Sequence, residues 1–274
     1  LATLLDTMKI ASLNIWGGML HEPLMRYLAN IDADVLCLQE VARAPGARND
    51  WLTYRDGSVE LQQRAHLFDE IAAVLPAHDG IFCPTARGML EDGDEPCWQE
   101  FGIATFVRKD IPIIGQALDF IHGSFSANGF GAHPRPRNAH GIRIFDHHTG
   151  APIAVVQLHG LRDPAGKQDT PARERQIEAL ICLIKRIWHT GEPLVVCGDF
   201  NVLPDSATFA ALGQLGLSDL VTGRGFSDTR TSHYRKDGRF ADYMLVTPNV
   251  RVNTFEVVAE PEVSDHRPLI LDIA

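Results

Sequence analysis

Apolar and polar positions alternate along this chain in short, interpretable blocks. Lys9–Ile15 alternates loosely and predicts a first strand, closed by a turn at Gly17-Gly18. Leu24, Leu28 and Ile31 give a short helical face. Asp34–Gln39 is nearly all apolar and predicts a strand buried on both faces. Residues 42–58 are polar and irregular. Leu61, Ala65, Phe68, Ile71, Ala72 and Leu75 recur at helical spacing and predict a helix over Leu61–Leu75. Short strands are predicted at Ile81–Cys83 and Gly102–Arg108, with an exposed acidic loop over Glu91–Glu100 between them. Residues 122–141 form a long Gly/His/Arg/Pro-rich loop of the kind that carries function.

Ile142–Phe145 and Pro152–Leu158 flank a polar turn and predict a hairpin. Thr170-Pro171 is a helix start, with a capping hydroxyl followed by proline at the first helical position. Ile177, Leu180, Ile181, Ile184, Ile187 and Trp188 then mark a core-facing stripe. Leu194–Cys197 is a further buried strand. Ala207–Leu212 reads as a short helix, and Phe240–Val246, Val252–Val258 and Leu269–Ile273 as strands. The strand–helix–strand order of 152–198 echoes that of 9–39, which suggests two similar halves of an α/β protein.

Several strands end in polar residues: Asn14, Glu40, His159, Asp199 with Asn201, Asp242, and Asp265-His266 before the last strand. Each has an ordinary explanation alone. Asn14 and Asp199 fit turn residues, Glu40 a solvated terminus, and His159 a hydrogen-bonded structural histidine. Their recurrence points instead to one site built where strand ends meet. Carboxylate and carboxamide oxygens suit a hard cation such as Mg2+ or Mn2+. Two imidazoles add proton transfer or charge stabilisation. Acids and imidazoles without a thiol cluster suit metal-assisted phosphoester hydrolysis.

Composition narrows this little. The chain has 274 residues, is 45% hydrophobic and carries a formal net charge of −10, so it has no whole-chain basic footprint for long nucleic acid. Arg135, Arg137 and Arg143 form a local basic cluster, free to read a phosphate or to fold back on Glu91–Glu100. No apolar run is long enough for stable membrane insertion. No cationic start precedes a long apolar core, so no signal peptide is expected. Residues 1–7 read as an extension before Met8, and 8–274 as one domain. The five cysteines are odd in number and lack a CxxC pair, which favours a reduced, cytoplasmic setting, although Cys83 and Cys97 have the option of pairing.

Ser12-Leu13-Asn14-Ile15-Trp16, Leu38-Gln39-Glu40, Leu158-His159-Gly160, Gly198-Asp199-Phe200-Asn201, Ala241-Asp242-Tyr243 and Ser264-Asp265-His266-Arg267-Pro268 follow one another in an order that resembles the endonuclease/exonuclease/phosphatase superfamily, over about residues 8–274. The resemblance implies a four-layer α/β sandwich, two mixed sheets face to face with helices outside and one site at the sheet edge. It implies a metal-dependent phosphoric ester hydrolase, foremost a phosphodiesterase. Glu40 would be the principal metal carboxylate, with Asn14 and Asp265 as direct or water-bridged ligands. Asp199 would activate water, and Asn201 would hold that water or a phosphate oxygen. His266, oriented by Asp242, and His159 would face the phosphate. Many relatives have Asn-x-His where this chain has Gln157-Leu158-His159, which leaves the accessory amide open.

Nucleic acid, a lipid head group (a sphingomyelinase-like activity) and a soluble phosphorylated small molecule remain as substrate classes; no protein partner is expected. The rival of another class is a non-catalytic binding protein on the same fold. Two lookalikes fail. His21-Glu22 lacks the second histidine of a zinc protease, since position 25 is Met25. Gly160–Lys167 is one residue too long for a phosphate loop and is followed by Gln168.

Overall fold

The computed structural model describes residues 7–57 and 59–274. The expected extension therefore lies, apart from Thr7, outside the described residues. Fourteen strands form two sheets among them. β1 (Met8–Asn14), β2 (Val35–Arg43), β3 (Trp51–Asp56), β4 (Val59–Arg64), β5 (His78–Asp92), β6 (Glu95–Arg108), β13 (Val252–Val257) and β14 (Leu269–Ile273) make the larger, in the order β13-β14-β1-β2-β6-β5-β3-β4. β7 (Ile113–His122), β8 (Arg137–Asp146), β9 (Ala151–His159), β10 (Leu194–Asp199), β11 (Ser218–Asp219) and β12 (Asp242–Val246) make the smaller, in the order β11-β12-β10-β9-β8-β7. The helices are α1 (His21–Leu28), α2 (Leu67–Val74), α3 (Pro171–Ile187), α4 (Ala207–Gly213) and α5 (Leu220–Gly223). No helix among the described residues is long and apolar enough to cross a membrane.

The two expected halves are present. β1 and β2 are parallel and joined through α1, while β9 and β10 are parallel and joined through α3. Each parallel pair has an antiparallel neighbour, β14 beside β1 and β12 beside β10. Alternation of side chains then sorts residues to faces. Ala11, Leu13, Ile15, Leu36 and Leu38 pack with Leu24 and Leu28 of α1 and Leu67 and Ile71 of α2 on the outside of the larger sheet. Ile10, Val35 and Cys37 join the core shared with the smaller sheet. Outside that sheet lies α3, whose Leu180, Leu183, Ile184 and Ile187 are buried. The Thr170 hydroxyl caps it by accepting from Arg173 N.

Several elements depart from the sequence expectation. Residues 42–58, read as irregular, contain β3, and Leu61 lies in β4; the helix begins only at Leu67. The supposed acidic loop at 91–100 is the tip of a long β5–β6 hairpin, turned at Gly93-Asp94. β7 was not anticipated, and the long loop shortens to 123–136 because β8 starts at Arg137. These strands expose apolar side chains, Val59 and Leu61 on β4 and Ile113, Ile114 and Leu118 on β7, beside polar ones, so neither a buried apolar run nor a clean alternation marks them in the sequence. Cys83 and Cys97 are both free thiols.

Candidate active site

Three cross-sheet pairs climb from the apolar interior to the site. Cys37 on β2 meets Cys197 on β10. One step higher, Gln39 Nε2 donates to Gln157 Oε1 at 2.9 Å. Gln157, the residue that departs from the Asn-x-His pattern, thus turns to the interior, where it also donates to Thr105 and to Ala104 O. Above it, Asn14 Nδ2 donates to Asp199 Oδ2 at 3.0 Å. Apolar, amide and then charged layers follow from the strand period, because all three pairs lie on inward faces.

Register brings most of the remaining residues in. Asp199 pairs with His159 on one side and Asp242 on the other. Adjacent paired residues on one face have neighbouring side chains. Glu40 needs another device. Following inward-facing Gln39, it ought to point outward, but the chain bulges between Gln39 and Val41, with Glu40 at φ 59°. Such a bulge re-aims a side chain. Gly198 is required for a different reason: its φ is 136°, and a Cβ there would lie 2.1 Å from the carbonyl oxygen of Leu158. Ser264 Oγ donates to Asn14 O at 2.6 Å and ties the segment before β14 to the end of β1.

The structure therefore brings all eight candidate residues into one cluster. Asp199 is bound through both oxygens, Oδ1 by Asn201 N at 2.9 Å and Oδ2 by Asn14. Asn201 itself is at φ 54° and donates to Gly160 O at 3.3 Å. The Nε2 atom of His159 lies 3.8 Å from both Glu40 Oε1 and Asp199 Oδ2. His266 Nδ1 contacts Asp242 at 2.8 Å, and its Nε2 lies 3.8 Å from Asp199 Oδ2. Asn14 Nδ2 also reaches Glu40 Oε1 at 3.2 Å, while its Oδ1 accepts from Trp16 N.

Burial dominates the electrostatics. It pushes the Glu40 pKa up to about 7, helped by the charges of Asp265 and Asp199 and opposed by the Asn14 hydrogen bond. Burial likewise raises Asp242 to about 7, against Arg230 and Thr229. It lowers His266 to about 4, with Arg230 acting in the same direction. His159 falls well below the ordinary histidine range through burial and then the Arg137 charge. Both rings are thus neutral at pH 7.

The donor set fits a divalent cation. Glu40 is 28% exposed, and burial together with the charges of Asp265 and Asp199 penalises its anion in a way that a bound cation would relieve. Asp265 Oδ1 is buried without a hydrogen-bond partner, while its Oδ2 is bound by Arg230 at 2.8 Å. Unneutralised carboxylate oxygens in one place are what a hard cation takes. Asp199, Asp242 and His266 also present ligand-type atoms within 4.8 Å of one another, but His266 Nδ1 is already committed to Asp242.

Three cations stand around this cluster, of which sequence reasoning marked Arg137 as one option among two and missed Lys167 and Arg230. Arg137, the first residue of β8, is buried with Nε on Gly160 O at 3.0 Å, and burial lowers its pKa to about 10. Its neighbour Arg135 turns to Tyr54 and Asp56 rather than to 91–100, and Arg143 pairs with Glu192. Lys167 donates to Gly238 O and Phe240 O, with burial lowering it to about 8. Arg230 touches Asp265 and His266 directly. Arg137 stood in a cluster already marked as basic; Lys167 and Arg230 lie in polar loops with no distinguishing pattern.

The family model for the Endonuclease/Exonuclease/phosphatase family matches residues 11–266. The chain belongs to this family. Its members among solved structures share the fold at low identity. An endonuclease/exonuclease/phosphatase from Bacteroides vulgatus is 22% identical, with 98% of each chain covered and a TM-score of 0.69. A mannosyl-6-phosphatase of Bacteroides thetaiotaomicron is 17% identical over 97% of this chain and 99% of that one, at 0.67. The catalytic domain of human Nocturnin is 18% identical over 98% and 93%, at 0.65. No curated protein matches the sequence. The family fold is that of hydrolytic phosphoesterases, and the two-sheet arrangement expected from the resemblance is the one observed.

Proposed function

We propose that this protein is a divalent-metal-dependent phosphodiesterase that hydrolyses its substrate by in-line attack of an activated water on phosphorus. One observation carries the reading: a carboxylate fixed through both oxygens, Asp199, lies 3.8 Å from two buried imidazoles, His159 and His266. Glu40 and Asp265 would hold Mg2+ or Mn2+, with Asn14 linking Glu40 to Asp199. When bound, the cation supplies Lewis-acid stabilisation of charge on the phosphoryl oxygens.

Asp199 accepts the proton of the attacking water, since its Oδ2 faces the site with a fixed direction. Asn201 keeps that direction, because its N–H holds Asp199 Oδ1. Asp242 holds Nδ1 of His266 and so aims the ring. His159 is neutral and able to place an N–H on a phosphoryl oxygen. Asp199, Asp242, His159 and His266 are buried and preset by their hydrogen bonds and packing, an environment in which fixed dipoles count for most.

The test is turnover first in excess EDTA, then in Mg2+ or Mn2+, on a generic phosphodiester, a phosphomonoester, single- and double-stranded nucleic acid and a choline phospholipid, with Asp199→Ala as control. Cation-dependent cleavage of a diester, lost in the control, is the expected result. The preferred diester then chooses among nuclease, lipid-hydrolase and small-molecule roles. Phosphate release from the monoester alone would replace the diesterase reading with a phosphatase. Binding without turnover of any substrate would favour a non-catalytic role.

A further inference from the structure

The residue this site holds most tightly without an assigned task is Arg230. It lies in the segment before β12, and that segment pairs briefly with the approach to β14. Arg230 and His266 are opposed in a single antiparallel bridge, flanked by Thr231 N on Asp265 O at 3.1 Å and Arg267 N on Thr229 O at 2.9 Å. Opposed residues share a face, so the guanidinium is delivered beside the imidazole. Its backbone carbonyl is held in turn by Arg239 and Arg267, at 2.7 and 2.9 Å. The Tyr234 ring lies 4.3 Å from its Cζ, and Lys167 Nζ stands 5.6 Å from the same ring. Arg230 is only 5% exposed. It is not a surface arginine that happens to lean inward.

Its hydrogen bonds are unevenly used. Nη1 serves both Asp265 Oδ2 and His266 Nε2, while Nε is buried without a partner. An arginine kept only to fasten one loop to another would engage its fork. A guanidinium has donors and no acceptor, so His266 Nε2 accepts here and the ring proton sits on Nδ1, toward Asp242. In this arrangement the imidazole has no N–H to offer on its site-facing side. The donor at that place is Arg230. It is also the positive charge on which Asp199, Asp242 and Asp265 converge.

We infer that Arg230 is a catalytic residue that grips a phosphoryl oxygen of the substrate beside His266. The scissile phosphate then lies between a cation held by Glu40 and Asp265 and the Arg230 guanidinium. The Arg230–Asp265 contact is its resting partner, exchanged for the substrate oxygen once Asp265 is engaged by the cation. This inference rests on the hydrolase reading above. It gives the reaction two sources of positive charge, one exchangeable and one built into the chain.

The test measures binding as well as rate. Inorganic phosphate is titrated calorimetrically into wild type, R230M, R230Q and R230K in Mg2+, and Mg2+ alone into each. Loss of a charged hydrogen bond predicts that R230M and R230Q bind phosphate about ten- to a hundredfold more weakly. Mg2+ binding without phosphate is not weakened in either, because a competing positive charge has been removed. R230K recovers part of the phosphate affinity as a point charge without the fork. In turnover, kcat falls and KM rises in R230M and R230Q. Should R230M fail to fold, R230Q keeps an amide to meet Asp265 and reads the same point. Phosphate affinity equal to wild type in either folded neutral variant overturns the assignment. A wild type that binds phosphate through Arg230 yet cleaves no phosphoester overturns the hydrolase reading and leaves the contact standing.

Discussion

The two sheets bring unlike carboxylates to their shared edge. From the smaller sheet comes Asp199, 1% exposed, with one oxygen on Asn201 N and the other on Asn14. At the edge of the larger stand Glu40, partly exposed on its bulge with a 3.2 Å hydrogen bond from Asn14 and the His159 ring 3.8 Å away, and Asp265, with one oxygen unpartnered. A carboxylate held by one hydrogen bond on each oxygen has a fixed direction and keeps lone pairs free to direct a water. One with free oxygens, crowded by like charge, is suited to share a cation. The difference comes from backbone: Asp199 ends a regular strand, whereas Glu40 is turned inward by a bulge and Asp265 sits in the turn before β14.

Removing the member fixed through both oxygens has the largest expected effect. Asp199→Asn keeps the shape and the contacts to one side but loses the proton acceptor. Turnover is expected to fall about 10³-fold or more, with Mg2+ binding changed far less. Glu40→Gln is expected to do the converse: the cation concentration for half-maximal activity rises about ten- to a hundredfold, and saturating cation restores part of the rate. If both substitutions shift the cation requirement equally, the division of labour between the sheets is wrong. Asp242→Asn touches neither class. It loosens His266, and turnover is expected to drop about 10²-fold at unchanged cation requirement.

The same contrast explains what the chain disclosed before its structure was known. His159, Asp199 and Asp242 terminate or open inner strands with continuous apolar runs, so their place at a strand end was visible, and the register did the rest. Asn201 adopts φ 54° and lies past the strand, so its place beside Asp199 is set by the turn and not by the strand period. Glu40 was legible as a strand-end acid, but not its aim, since no residue pattern announces a bulge. β3, β4, β7 and the β5–β6 hairpin were hidden for a physical reason. Their exposed faces mix polar side chains with apolar ones such as Leu61, Met89, Trp98 and Leu118, which blurs the alternation, and the apolar partners they need are distant in sequence, as with Tyr54 packing on Phe130. Arg137, Lys167 and Arg230 depend wholly on tertiary contact.

The smallest expected effect concerns stability and tests whether the Glu40 anion is penalised by burial and by the charges of Asp265 and Asp199. Its pKa rises on folding from 4.5 to about 7. Between those values the folded chain holds more proton on this group than the unfolded one, so its contribution falls as pH rises through the window. His266, lowered from 6.5 to about 4, acts with the opposite sign over an overlapping range. The wild-type profile alone therefore cancels in part, and the informative quantity is a difference. In EDTA, the Tm of Glu40→Gln minus that of wild type is expected to be near zero at pH 4.5 and to grow to a few degrees above pH 7, where only wild type carries the penalised charge. Adding Mg2+ at pH 7.5 should narrow the gap, because a bound cation stabilises the folded wild type by mass action and neutralises the same repulsion. A gap that does not change with pH would mean that Glu40 titrates as an ordinary surface acid, and the burial and like charge that mark the larger sheet's edge as the cation side would be lost.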